Sequence, residues 1–272
     1  MEQVEEQNDP FLLVVDDPIT GLLPWLAWGL LTYIWSPVVC AVISLVLALA
    51  LLLIAWGRGE RPKPLEASDV ATFVVVLVIA LFAGEGLTNW MEDHADLVAN
   101  SALTLLAFIS LATNRPFTAP YTEARFPGLD EGLQYRLDRV STAAWGIGLA
   151  VAAFVAWYGE YVLDNPNDFW TGWTLQLLPL VLAYHATLWF DRRAIAKQLG
   201  DPNLPSIWGP IGTTVIWLAP IGVIAVMVND APLWFGEALF WAGLGLGLLS
   251  WGLLRRRSVA QDAPEIVFGE EG

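Results

Sequence analysis

The chain has 272 residues, 56% of them hydrophobic and 15% charged, against about 25% charged in an ordinary soluble domain. The formal net charge is −15, from 13 Lys and Arg against 28 Asp and Glu, and no basic face exists beyond short loop clusters, so nucleic acid is disfavoured as a partner. The one cysteine, Cys40, lies in an apolar run, which excludes a disulfide framework or a cysteine metal site within one chain.

Residues 1–18 read as an acidic cytoplasmic tail. They lack a basic n-region, so no cleaved signal peptide is expected and the first apolar segment would stay as an anchor. A membrane span needs roughly 20 apolar residues, with about 17 tolerated. The pattern predicts an all-α polytopic membrane protein of about eight transmembrane helices between residues 19 and 254. The first is Ile19–Trp35, short and carrying Pro24. Its Trp25, Trp28 and Trp35 also suit an interfacial or re-entrant segment, which would leave seven spans. A crossing is preferred, because it places the uncharged turn Ser36-Pro37 outside. The second span is Val38–Trp56, the third Val70–Thr88 and the fourth Leu97–Thr113. The fifth is Val140–Leu163, the sixth Phe169–Phe190, the seventh Ile207–Val228 and the eighth Leu233–Leu254.

The segments between these spans alternate in charge. One set carries every Lys and Arg: Arg58, Arg61 and Lys63; Arg115, Arg125, Arg136 and Arg139; Arg192, Arg193 and Lys197; Arg255, Arg256 and Arg257. The other set carries acids, such as Glu92, Asp93, Asp96, Asp164, Asp168 and Asp230, with no Lys or Arg. Cytoplasmic loops retain Lys and Arg, and acidic residues contribute little to orientation. Both termini are therefore expected inside, with residues 255–272 as a second cytoplasmic tail. The expected place is the cell (inner, cytoplasmic) membrane, multi-pass, and the expected partner is the bilayer itself. A lysine-poor, acid-rich surface suits a salt-rich cytoplasm.

The cytoplasmic loop 114–139 is the richest soluble segment. It interleaves Arg115, Arg125, Arg136 and Arg139 with Phe117, Tyr121, Phe126 and Tyr135. One reading is a surface loop with positive-inside anchors. The other is a docking site for a partner protein or lipid headgroups, carried by Arg115, Phe117, Tyr121, Arg125, Arg136 and Arg139. Its second half, Leu129–Arg139, spaces Leu133, Leu137 and Val140 helically and is expected to begin the fifth helix.

Ionisable residues at membrane depth are costly and default to functional candidates. Three fall near outer ends of spans: Glu85, Glu160 and Glu237. Gly84-Glu85 and Gly159-Glu160 match in position, as if two hairpins were related. Either the three carboxylates snorkel to water and headgroups, or they line a cavity that binds a proton or cation. His185 in the sixth span suits a helix-packing hydrogen bond better than a proton-linked role. His94 falls in an outer turn. No cofactor or metal is expected, because no His-Glu-x-x-His run, nucleophile elbow or P-loop occurs. Gly243, Gly245 and Gly247 offer a thin face for close helix packing.

In order and spacing, residues 18–190 resemble the intracellular septation protein A family of bacterial inner-membrane proteins. The features are a Pro-led first segment, a second span ending in Trp56 before the Arg61–Pro64 turn, and a Gly86–Thr88 element. Trp90 follows in an outer turn, then Arg115-Pro116-Phe117, the lead-in Arg136–Arg139 with Trp145, and an aromatic Phe169–Trp173. This chain differs in its acidic outer turns and two further helices. The resemblance implies a role in cell-envelope integrity and septation through contacts with other membrane proteins, with no catalytic residues to carry over. The leading expectation is thus a non-enzymatic scaffold or envelope-associated protein. The alternative is a small-solute or ion transporter using the outer carboxylates. An enzyme acting on lipids is the least supported.

Overall fold

A computed structural model describes residues 18–32, 35–59, 62–165, 169–200, 204–222 and 233–261. The amino-terminal tail, Arg61, Asp168, Asp230, the end of the seventh expected span and the carboxyl-terminal residues from 262 lie outside these ranges, as does the side chain of Glu85. All regular structure in the described residues is helical. The chain divides into two compact units, Met1–Ala183 and Tyr184–Gly272.

The first unit opens with two short helices, α1 (Pro18–Gly21) and α2 (Leu23–Leu31). At 1.5 Å per residue, both together reach only about 20 Å, short of the roughly 30 Å hydrocarbon core. Pro24 sits in the first turn of α2, where a missing N–H costs nothing. Gly21 is needed at the start, because a Cβ there would come within 2.7 Å of Leu65 and 2.9 Å of the Tyr121 hydroxyl.

Four longer helices follow, all long and apolar enough to cross a membrane: α3 (Pro37–Gly57), α4 (Pro64–Phe82), α6 (Ala95–Ala112) and α8 (Glu131–Tyr161). This makes the chain a membrane protein by the length and composition of its helices. The packing agrees. On α3 the inward stripe is small, with Cys40, Ser44, Ala48 and Ala55 buried, while Val42, Val46, Leu49 and Leu53 are exposed. A branched apolar exterior over a small-residue interior suits lipid rather than water. Likewise α6 and α8 approach closely where a Cβ on Gly146 would lie 3.2 Å from that of Ala107.

The boundaries of α4 correct the sequence reading. The third span was expected at Val70–Thr88, but the helix starts at Pro64 and stops at Phe82. Pro64 presets the first turn, and Glu66 accepts from the Lys63 backbone N–H at 3.3 Å, satisfying one free donor of the helix end. Gly84 then leaves the helical region and caps a new helix, α5 (Glu85–Asp93). Glu85 therefore opens a short amphipathic helix instead of sitting inside a span. The turn expected between Thr88 and Leu97 is mostly α5.

The loop 114–139 is ordered around α7 (Ala119–Arg125). Phe117, Thr118, Tyr121 and Thr122 are buried. The Thr118 hydroxyl donates to the Asp138 carbonyl at 2.9 Å and sits 2.7 Å from the Thr142 hydroxyl, tying the loop to α8. As the spacing predicted, Leu133 and Leu137 bury one face of the lead-in, and α8 runs unbroken from it. Asp130 caps α8 by accepting from the N–H groups of Gly132 and Leu133. After α8 a π-helical stretch, Phe169–Thr174, feeds α9 (Leu175–Gln198), which contains Pro179.

The second unit holds the end of α9, then α10 (Trp208–Ile216) and α11 (Leu233–Gln261). Trp189 and Arg193 both donate to the Pro205 carbonyl, at 3.1 and 3.2 Å. The expected glycine ladder is half right. A Cβ on Gly243 would collide with the backbone at Ala219, and one on Gly247 with Ile216, but Gly245 faces open space. Close packing thus uses Gly243 and Gly247, four residues apart on one helix face.

Candidate functional site

Ionisable groups gather at both ends of the first unit. The group at the end expected to face outward forms where α5 meets α6 and where α8 ends. Glu160 turns inward: its side chain is 5% exposed, and its Oε2 lies 3.7 Å from His94 Nε2. That is beyond hydrogen-bond length, and Oε2 has no hydrogen-bond partner among the described residues. His94 Nδ1 lies 2.8 Å from the Trp90 carbonyl. A carbonyl oxygen only accepts, so Nδ1 carries the hydrogen. In a neutral ring the opposite nitrogen, Nε2, is then a bare lone pair facing a carboxylate oxygen. The pair is attractive only with one added proton, on His94 or on Glu160. Trp90 stacks on the imidazole at 4.7 Å and 17°, and Tyr161 lies 5.5 Å away.

Asp93 and Asp96 act electrostatically on Glu160. Asp96 Oδ1 lies against Gly29 of α2, 3.4 Å from where a Cβ would stand. One turn further along α6, Asn100 Nδ2 donates to Gln176 Oε1 at 2.8 Å. Gln176 Nε2 in turn donates to the carbonyls of Thr171 and Gly172, at 2.8 and 3.2 Å. These belong to the π-helical stretch, whose altered backbone pairing leaves carbonyls to satisfy. Gly159 lets that stretch approach α8, since a Cβ there would be 2.5 Å from the Thr171 hydroxyl.

The group at the end expected to face inward stands at the start of α4. Lys63 and Glu66 are 4% and 3% exposed and pair at 3.8 Å. The Lys63 ammonium lies 5.0 Å from the Tyr121 ring centre. One turn up, Asp69 is fully buried and accepts from Trp25 Nε1 at 2.7 Å. Trp25 and Trp28 pack on Phe73 at 5.0 and 6.2 Å.

The sequence candidates fare unequally. Glu160 has a side chain only 5% exposed that faces His94, whereas Glu237 is exposed on α11 in the second unit. Of the loop residues, Phe117 and Tyr121 are core, Arg125 is half-buried, and Arg115, Arg136 and Arg139 are exposed. Arg139 Nη1 donates to Asn114 Oδ1 at 2.9 Å and to the Tyr135 hydroxyl at 2.8 Å. Sequence reasoning missed His94, Asp96, Glu66 and Asp69. The signal for the last two was Pro64 followed by Glu66, a helix start. His185 is half-buried, with Tyr184 edge-on at 5.2 Å.

No protein-family model matches this chain, and no curated protein or solved structure matches it either.

Proposed function

We propose that the chain is a non-enzymatic, multi-pass protein of the cell membrane that binds and passes a proton or small cation through its outer carboxylates. Both termini lie inside and about eight segments cross, the distribution of Lys and Arg being the support. The observation that carries the functional reading is the His94–Glu160 pair. A carboxylate only 5% exposed, facing an imidazole whose other nitrogen is committed to a carbonyl, is built around one exchangeable proton. Proteoliposomes loaded with a pH-sensitive dye test it under imposed sodium or potassium gradients. Wild type should move protons, and Glu160→Gln should abolish the signal. Flux no greater than in empty vesicles, or equal flux in Glu160→Gln, sinks the reading. For the topology, a cysteine placed at Asp164 should label from outside, and one at Gly128 or Lys197 should not. Outside labelling at Gly128 reverses it.

The second reading is a scaffold of the septation protein A-like kind, docking envelope proteins or anionic lipid at the inner face. It is favoured by the exposure of Arg115, Arg136 and Arg139 at that end of the first unit. Replacing Arg115, Arg125 and Arg136 together with Gln should strip bound partner or lipid in mild detergent. Unchanged co-purification leaves the loop a tether.

A further inference from the structure

We propose that Asp69 is a second proton-binding site, at the inner end of the bundle, with Trp25 of α2 reading its charge. The argument begins with a count of charges. Lys63 is matched by Glu66, and both Glu66 oxygens are engaged, Oε1 by the Lys63 ammonium and Oε2 by the Lys63 backbone N–H. Among the described residues Asp69 is then a third charge with no counter-charge. Its Oδ1 accepts from Trp25, and its Oδ2 has no partner among the described residues and no solvent exposure. A lone carboxylate in so dry a place is far costlier than a neutral carboxyl.

The elements around Asp69 do not supply the missing charge. The packed helix α3 contains no Asp, Glu, Lys, Arg or His, only Cys40 and Ser44 on its buried face. The facing part of α2 supplies Trp25 and Trp28. On α4 itself the neighbouring ionisable groups are Glu66 and, at its cap, Lys63. Tyr121 of α7 contributes a ring under the Lys63 ammonium.

The ligand class follows from the oxygen count. A metal ion needs several converging ligands, and among the described residues no three His, Cys, Asp or Glu side chains gather to hold one. A proton needs one oxygen, and one is open. Binding is a simple transfer: a hydronium ion gives its proton to Oδ2, forming an O–H bond and leaving water. The gain or loss of that proton changes the Trp25 bond, because a hydrogen bond to an ionised acceptor is roughly twice as strong as one to a neutral acceptor. Trp25 and Gly29 lie four residues apart on α2, and a Cβ built at Gly29 would stand 3.4 Å from Asp96 Oδ1 of the outer group. The short helix therefore bonds one carboxylate at Trp25 and runs close to another at Gly29.

The test uses the full chain in lipid nanodiscs and infrared spectroscopy, which reads no transport, so its failure is separable from failure of the flux reading. Wild type should show a protonated-carboxyl C=O band at neutral pH that is lost in Asp69→Asn and kept in Glu160→Gln. Trp25→Phe should keep the band but move its frequency, because Oδ1 loses its donor. Absence of the band, or its survival in Asp69→Asn, overturns the proposal. Asn has the shape of the neutral carboxyl, so Asp69→Asn should fold with an unchanged or raised melting temperature. Failure of that variant to fold shows that the site needs the charge, and also overturns it.

Discussion

The two ends of the first unit handle buried carboxylates in opposite ways. At the inner end Asp69 is shut in by aromatic rings, with one indole donor and nothing at its second oxygen. At the outer end Glu160 faces a histidine that is still 17% exposed, held by a backbone carbonyl and a stacked Trp90. The outer pair is open to water at His94. Asp69 meets water only when the helices around it open. One side-chain type is thus reached readily or slowly, depending on what seals it.

The largest break in this comparison should come at the outer end. Gly159→Val puts side-chain atoms where the Thr171 hydroxyl stands, 2.5 Å from the Cβ position. Overpacking of this kind costs about 1–3 kcal/mol or more, and thermal melting in detergent should show it. A wild-type midpoint would mean that the π-helical stretch can step aside without loss. Next in size is Trp25→Phe at the inner end. It removes the indole donor to Asp69 and leaves a buried acceptor unmet, at about 1–3 kcal/mol. If Trp25→Phe melts like wild type while Gly159→Val does not, the inner seal is packing and not polar contact. The smallest effect is expected at Tyr135→Phe. The Tyr135 hydroxyl donates to Asn114 and accepts from Arg139 in an exposed cluster, so its loss should stay within about 0.5 kcal/mol. A drop of a full kcal/mol or more would show that the inner loop is pinned at Tyr135 more firmly than at Thr118.

The apolar helices could be read from the sequence where Pro or charge bounds the run. Val38–Trp56 is nearly α3, and Leu97–Thr113 nearly α6. The reading failed where an ionisable residue is part of the helix. Glu66 and Asp69 made residues 64–69 look like loop, because a hydropathy window penalises charges that folding pairs or neutralises. A nine-residue amphipathic helix such as α5 was likewise too short to stand out against an outer turn. The site was legible in one half only. Glu160 was singled out, but its partner was sought in Glu85, the residue with the same local motif. Its observed partner, His94, is distant in sequence, and only the packing of α8 on α6 brings them together. Depth alone did not separate the carboxylates either, since Glu237 is exposed and Glu160 is not.

The small-residue stripe of α3 has a practical side. Its Cys40 is the sole thiol of the chain and has no solvent exposure, with Sγ 3.5 Å from the Trp35 carbonyl. Thiol reagents react through the exposed thiolate, which a sulfur buried between helices does not offer. The natural chain is therefore its own silent background. Spin labels, maleimide dyes or crosslinkers attached at a single introduced cysteine should report from that position alone, with no cysteine-free variant to build and validate first.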